Sequence, residues 1–190
     1  IFKSFNKHLY WLSLSGGEVT LVKYYKEMID ELIHNCKNIK ILAFTTNALA
    51  VNRALEYALY AKNKGLDVLV TISLDGDEST HDELRGIKGN YKKCFDLYHK
   101  LKKNNINCNF GITVSEQNGN FILKKYSEYK NLIKAVTFVH NHGIFGISKN
   151  LENNNIVTSL KHIYKNYPLN KLEHLIEKIH LKISILFLKN

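Results

Sequence analysis

Hydrophobic residues follow two different spacings along this chain, and these spacings predict the order of its elements. Short apolar segments rich in branched residues, such as 39–44 and 107–114, are typical of buried strands. Between them, apolar residues recur every three or four positions, which is typical of amphipathic helices. The predicted strands are 9–14, 39–44, 67–74, 107–114 and 135–139, and the predicted helices are 22–36, 50–64, 91–104, 121–130, 156–167 and 169–188.

Strand and helix alternate with a repeat of roughly 30 residues, which is the length of a strand–helix–strand unit. This order predicts an α/β fold in which parallel strands are joined by right-handed crossovers. Because the strands are apolar nearly throughout, we expect helices on one face of the sheet and a packed interior on the other. We expect residues 1–145 to form the core and 146–190 to form a C-terminal helical segment of the same domain.

Small or polar residues follow every predicted strand. The carboxyl ends of parallel strands lie at one edge of a sheet, so these residues are expected to converge on a ligand site. The alternative is that they are ordinary loops, which are polar in most proteins. We favour the site, because the polar residues begin within the strand ends themselves. The segments are 15–18, 45–47, 73–76, 113–118 and 140–142.

Composition and charge exclude several classes of protein. The formal net charge is +10, but the lysines are scattered, which indicates a compositional bias more than a nucleic-acid-binding surface. The three cysteines are far apart in the sequence and form no metal-ligand pair, which favours a reducing compartment. We found no signal peptide and no apolar segment long enough to span a membrane, so the expected location is the cytoplasm.

Two motifs, taken together, identify a family. The segment 14–21 contains Gly16-Gly17-Glu18 and resembles the Gly-Gly-Glu-Pro motif of radical S-adenosylmethionine (SAM) enzymes, with valine in place of proline. The segment 73–76, Ser-Leu-Asp-Gly, is similar to the fourth-strand signature of that superfamily. It is followed, as in the signature, by His81-Asp82, Arg85-Gly86 and Gly89. The resemblance covers roughly residues 9–120 and is strongest to the branch with sulfatase-maturing and peptide-modifying members.

The resemblance implies a fold and a reaction. The implied fold is a partial (β/α)6 barrel with parallel strands, in which segment 9–14 is the second strand and the first strand is missing. The implied reaction is reductive cleavage of SAM to a 5′-deoxyadenosyl radical that modifies a peptide, a sugar or a small metabolite. The implied partners are therefore SAM and an unknown substrate, with no nucleic acid and no membrane.

The resemblance also implies a set of SAM-binding residues. Gly16, Gly17 and Glu18 match the motif that holds the amino group of SAM, and a carboxylate suits an ammonium group. Ser73 and Arg85 match the residues that hold the SAM carboxylate, for which a guanidinium is well suited. We expect Glu18, Ser73 and Arg85 to point into one cleft. The alternatives are that Ser73 bonds to neighbouring backbone and that Arg85 forms a surface ion pair with Asp82 or Glu83.

Further residues match the family less specifically. Asn47 and Asp75 lie at strand ends near the place where the family holds ribose or substrate. Ile112 and Val114 are expected to flank the adenine. We expect His81 to be a helix-start residue rather than a catalyst. His140 and His142 are expected to be polar lining rather than a metal site, and no catalytic residue is assigned.

The sequence departs from the family in its cysteines. Radical SAM enzymes hold a [4Fe-4S] cluster with a Cys-x3-Cys-x2-Cys loop after the first strand, and this sequence has no such motif. Cys36, Cys94 and Cys108 are predicted on a helix end, a helix and a strand start, so no metal ligand is assigned. The cluster is expected only in a full-length parent, unless it has been lost.

Three hypotheses follow. The first is a fragment of a radical SAM enzyme that is inactive as this chain alone. The second is a degenerate, non-catalytic relative that binds a nucleotide-like ligand or a protein partner. The third is an unrelated parallel α/β domain.

Overall fold

The structure is a computed structural model, and it describes residues 8–138, 154–169 and 172–187. They form two compact units: the first lies within 1–73 and 92–109, and the second within 74–91 and 110–190. The strands are β1 (Trp11–Leu14), β2 (Ile41–Thr46), β3 (Asp67–Ser73), β4 (Asn107–Val114) and β5 (Ile133–Phe138). The helices are α1 (Tyr25–Asn35), α2 (Val51–Asn63), α3 (Glu78–Arg85), α4 (Asn90–Lys103), α5 (Gly119–Tyr129), α6 (Asn154–Asn166) and α7 (Leu172–Phe187).

The strands are parallel, as predicted. β1 pairs with β2 and β2 with β3 in the first unit, and β4 pairs with β5 in the second. The five strands follow chain order in one sheet. This topology confirms the predicted α/β class. Within the described part of the chain, no helix is long and apolar enough to cross a membrane.

The two faces of the strands differ, which corrects one prediction. In β3, Val68, Val70 and Ile72 are buried, whereas the residues between them are more exposed. β4 shows the same alternation. The prediction that both faces are packed therefore fails for β3 and β4, where only every second side chain is buried, whereas Leu42, Ala43 and Phe44 of β2 are buried in succession. In β3 the other face carries Leu69 and polar side chains, including the hydroxyls of Thr71 and Ser73.

The hydrophobic spacing missed α3, which follows β3. Asp77 caps this helix by accepting a hydrogen bond from the main-chain nitrogen of Thr80 at 3.2 Å. Gly86 ends it in the left-handed conformation, with φ of 64°. His81 is the one buried residue of α3, so the helix has no apolar stripe that a periodicity search can detect.

The C-terminal helices cover the free edge of β5 within the second unit. The hydroxyl of Tyr167 donates to the main-chain oxygen of Lys134 at 2.8 Å. The main-chain nitrogen of Val136 donates to Oε1 of Glu177 at 3.1 Å. Burial raises the pKa of Glu177 above its usual value. Both bonds satisfy main-chain groups that an edge strand would otherwise leave unpaired.

Candidate SAM-binding site

The two glycines after β1 have different structural needs. Gly16 has φ of 121°, a conformation that side-chain-bearing residues rarely adopt. Gly17 has no such constraint, and a Cβ built on it would meet no atom within 4 Å. Neither backbone conformation nor packing therefore requires glycine at position 17. The open space above Gly17 is available to a ligand.

Glu18 joins the end of β1 to the end of β2. Its Oε1 accepts from the hydroxyl of Thr46 at 2.7 Å and from the hydroxyl and main-chain nitrogen of Thr20 at 2.8 and 3.2 Å. Its Oε2 accepts from the main-chain nitrogen of Asn47 at 2.8 Å. Oε2 accepts from one described donor whereas Oε1 accepts from three, so Oε2 retains acceptor capacity for a cationic ligand.

Thr20 and Thr46 support this site, and the sequence analysis assigned neither a role. Thr46 is 1% exposed, and its hydroxyl also accepts from the main-chain nitrogen of Ala48 at 3.2 Å. Arg53 donates from Nη1 to the main-chain oxygen of Thr20 at 3.0 Å. Thr46 lies in the polar segment 45–47, so its position could be predicted, but its partner could not. The side chain of Asn47 accepts from the main-chain nitrogen of Leu49 at 3.0 Å.

Ser73 ends β3 and belongs to the same unit. The Sγ of Cys94 donates to its main-chain oxygen at 3.4 Å. In the part of the chain that the structure describes, the Ser73 hydroxyl has no hydrogen-bond partner, so the alternative that it bonds to neighbouring backbone is not what the structure shows. Its contact with a ligand stays a prediction.

Asp75, in the second unit, is a buried hydrogen-bond centre with a residue exposure of 6%. Its Oδ1 accepts from the main-chain nitrogen of Thr113 at 3.0 Å, and its Oδ2 pairs with Nη2 of Arg85 at 2.7 Å. Its main-chain nitrogen donates to Nδ1 of His81 at 3.1 Å, and its main-chain oxygen accepts from Nδ2 of Asn118 at 3.0 Å. All four polar groups of Asp75 are therefore engaged.

Arg85, the last residue of α3, faces a cavity in the second unit. Its ion pair is with Asp75, and not with Asp82 or Glu83 as the surface alternative supposed. The side chain of Arg85 is 29% exposed, compared with 9% for that of Asp75. The cavity has a volume of about 250 Å³ and is lined by Asp75, Leu84, Arg85, Thr113, Ser115 and Gln117.

The remaining residues of the second motif are structural. His81 lies one turn inside α3, so it is not a helix-start residue, and its Nε2 lies 3.1 Å from Oδ1 of Asn90. Its Nδ1 accepts from Asp75, which requires the neutral ring, and burial lowers the pKa of His81. The Asp82 carboxylate accepts from the main-chain nitrogens of Gly89 and Tyr91. These contacts hold the loop after Arg85.

Asn118 is a further supporting residue that the sequence analysis left without a role. It is fully buried, and its Nδ2 donates to the main-chain oxygens of Asp75 and Thr113 at 3.0 and 2.9 Å. Its Oδ1 accepts from the main-chain nitrogen of Ser115 at 2.9 Å. Asn118 therefore ties the segment after β3 to the end of β4, on the side where the cavity lies.

Comparisons with known proteins give one curated relative and several solved structures. The chain is 32% identical over 107 residues to the sporulation killing factor maturation protein SkfB of Bacillus subtilis (strain 168), covering 56% of this chain and 25% of SkfB. The fold resembles native anSMEcpe with bound AdoMet and Kp18Cys peptide, with TM-score 0.58 and 21% identity. It also resembles a histidine-tagged form of anSMEcpe with bound AdoMet, with TM-score 0.60 and 19% identity. Both alignments cover 82% of this chain and 45% of that one.

No family model matches the chain. The motifs, their order along parallel strands and these likenesses nevertheless agree with one another. In its motifs and its fold the chain resembles members of the radical SAM superfamily. The partial-barrel fold predicted from the resemblance is thereby confirmed, and the chain spans a quarter of the curated relative and less than half of the solved ones.

Not every residue expected at a radical SAM site is open to a ligand. Ile112 and Val114 are 1% and 0% exposed, and they alternate with Thr113, which lines the cavity. Their contact with adenine stays a prediction, and it requires these side chains to be uncovered. Ribose or substrate contacts by Asn47 and Asp75 also stay predictions. His140 and His142 lie outside the described residues.

The described residues fit SAM better than they fit the cluster of radical SAM enzymes. Glu18 offers an acceptor for an ammonium group, and Arg85 offers donors for a carboxylate. Glu18 and Ser73 belong to the first unit and Arg85 to the second, and their convergence on one cleft stays a prediction. Cys36, Cys94 and Cys108 are buried and form no disulfide with one another, and within the described ranges no group of His, Cys, Asp or Glu residues could hold a metal ion.

Proposed function

We propose that this chain is the SAM-binding portion of a radical SAM enzyme. In this proposal Glu18 holds the SAM amino group next to Gly16 and Gly17, and Ser73 and Arg85 hold the SAM carboxylate. The observation that carries the proposal is the state of Arg85. Its guanidinium is already fixed by a buried carboxylate while part of its surface faces a cavity.

The chemistry of these groups matches the methionine end of SAM. A half-buried carboxylate with a spare acceptor favours an ammonium group, and a guanidinium favours a carboxylate through paired hydrogen bonds. The open space at Gly17 lets a ligand approach the main chain closely. When bound, SAM would supply a sulfonium whose reductive cleavage gives the 5′-deoxyadenosyl radical.

A peptide is the substrate class that the relatives favour. SkfB is a maturation protein for the sporulation killing factor, and the anSMEcpe structure holds a peptide together with AdoMet. We extend that class to this chain, in preference to a sugar or a small metabolite.

The iron–sulfur cluster does not fit the residues of this sequence. Three thiolates in one loop are needed, and the sequence has three separate cysteines on α4, on β4 and at the end of α1. We therefore expect the 190-residue chain to bind SAM weakly and to leave it uncleaved.

Calorimetric titration of SAM into the chain tests the binding. Arg85→Ala should raise the dissociation constant by roughly tenfold or more, because a charge-assisted contact is lost. Lys88→Ala is the matched control, since it removes an exposed positive charge three residues away. Equal affinities for the native chain and the Arg85 variant would contradict the proposed role.

Anaerobic treatment of the chain with iron, sulfide, dithionite and SAM tests the chemistry. We expect a colourless protein and no 5′-deoxyadenosine. A stable brown protein that produces 5′-deoxyadenosine would show that the three cysteines do assemble a cluster.

A further inference from the structure

We infer that Asp75 is a positioning residue, which holds the Arg85 guanidinium ready to receive the SAM carboxylate. This inference rests on the proposed function, and it differs from the ribose or substrate contact that the sequence suggested for Asp75. Both residues belong to the second unit and line the same cavity.

The carboxylate of Asp75 bridges two elements. Oδ1 accepts from the main chain of β4 at Thr113, and Oδ2 accepts from the end of α3 at Arg85. Its own main chain is held on both sides, by His81 and by Asn118. With backbone and side chain both restrained, the carboxylate has one orientation to offer, and the guanidinium must align with it.

Asp75 and Arg85 differ in exposure to solvent, as expected if Asp75 positions Arg85 for a ligand. The Asp75 side chain is 9% exposed and that of Arg85 is 29% exposed. The carboxylate is therefore the buried partner, and the guanidinium is the partner that a ligand can reach. A buried carboxylate needs a cationic partner, so the pairing holds Arg85 in place before any ligand arrives. A guanidinium has five donor hydrogens, and the Asp75 contact leaves others for a ligand.

The Nε of Arg85 gives independent support. It is buried and has no hydrogen-bond partner among the described residues. A buried donor without a partner is uncommon in native proteins, and here it belongs to a side chain that lines the cavity. The unfilled donor therefore indicates that the arginine is arranged for a ligand and not only for Asp75.

Asparagine cannot replace aspartate in this arrangement. Asp75 accepts hydrogen bonds with both oxygens, whereas an amide accepts on one arm and donates on the other. Asp75→Asn must therefore lose either the contact with Thr113 or the contact with Arg85, while keeping the shape of the side chain. Asp77→Asn is the matched control, because it neutralises a carboxylate of the same loop that caps α3 without contacting Arg85.

The chain offers a direct spectroscopic test, because its arginines are Arg53 and Arg85 alone. In the low-temperature ¹H–¹⁵N spectrum, Arg53→Lys identifies the Nη–Hη signals of Arg85. Without ligand, we expect the hydrogens on Nη2, which donate to Asp75, to exchange with water roughly tenfold more slowly than those of free arginine, as for a hydrogen-bonded charged group. Asp75→Ala, which removes both acceptors, should abolish that protection, and Asp77→Asn should preserve it.

Two outcomes would overturn the inference. One is an Arg85 signal in the native chain that exchanges as fast as free arginine, a measurement that needs no variant. The other is unchanged protection in Asp75→Ala with the amide spectrum showing an intact fold.

Titration of SAM into the native chain and the Asp75 and Asp77 variants separates this inference from the proposed function. Weaker SAM binding by Asp75→Asn, with Asp77→Asn unaffected, supports both. If the native chain does not bind SAM although Asp75 protects Arg85, the proposed function fails and Asp75 remains the residue that orients Arg85.

Discussion

Removing the carboxylate of Glu18 should destabilise the protein, apart from any effect on ligand binding. Glu18→Ala leaves four donors without their acceptor: two threonine hydroxyls and two main-chain nitrogens. Each such bond contributes about 0.5–1.5 kcal/mol. Because Glu18 is only half-buried and the hydroxyls can turn to water, we take the lower end of the sum. The expected loss in the free energy of unfolding is about 2–3 kcal/mol.

Urea-induced unfolding measures this loss. Circular dichroism follows the whole chain, and the fluorescence of Trp11, the one tryptophan of the sequence, follows β1. Glu18→Gln keeps one acceptor and should lose about 1 kcal/mol. Glu83→Ala, which removes an exposed carboxylate on α3, is the control. The reasoning is refuted if Glu18→Ala and Glu83→Ala unfold at the same urea concentration.

Three further predictions concern stability and ligand binding. Gly17→Ala should change the free energy of unfolding by less than about 0.5 kcal/mol and weaken SAM binding. Gly16→Ala should lower the free energy of unfolding by about 1 kcal/mol, because the φ of Gly16 is 121°. Equal SAM affinity after Gly17→Ala would contradict the ligand role. Burial lowers the pKa of His81, so just below pH 6.5 its imidazole is more protonated in the unfolded chain than in the folded one. The free energy of unfolding should therefore rise with pH up to about 6.5. His81→Gln should flatten that rise in urea titrations. Glu177→Ala should lower the free energy of unfolding by about 1–3 kcal/mol, because the main-chain nitrogen of Val136 loses its acceptor. Glu177→Gln should lower it less, because glutamine keeps an acceptor and removes a charge that burial disfavours. Thermal unfolding compares the two variants.

The order of strands could be predicted because each strand is a short apolar segment between two amphipathic helices. α3 could not, because a short helix defined by its caps, Asp77 and Gly86, carries no hydrophobic period. The alternation within β3 was also missed. Leu69 is apolar although its face is not fully buried, so the strand resembled one that is covered on both sides.

In the candidate site, the sequence predicted the motif residues but not the residues that contact and hold them. Glu18, Ser73 and Arg85 stood out because their motifs occur in a recognisable order. The partners that hold them did not, since Thr46 lies 28 residues from Glu18 and Asp75 holds Arg85 through a pairing that no periodicity encodes. The motifs therefore predicted which groups bind a ligand, and the structure was needed to identify what positions those groups.

The claim that Glu18 and Arg85 serve one SAM molecule can be tested most directly by titrating SAM into the ¹⁵N-labelled chain. The account predicts that the amides of Gly16 and Gly17 and the Nε–Hε of Arg85 shift together, with one common dissociation constant, and that Glu18→Gln weakens the response of both groups. Shifts confined to one of the two groups, or shifts of the two groups with different dissociation constants, would contradict it.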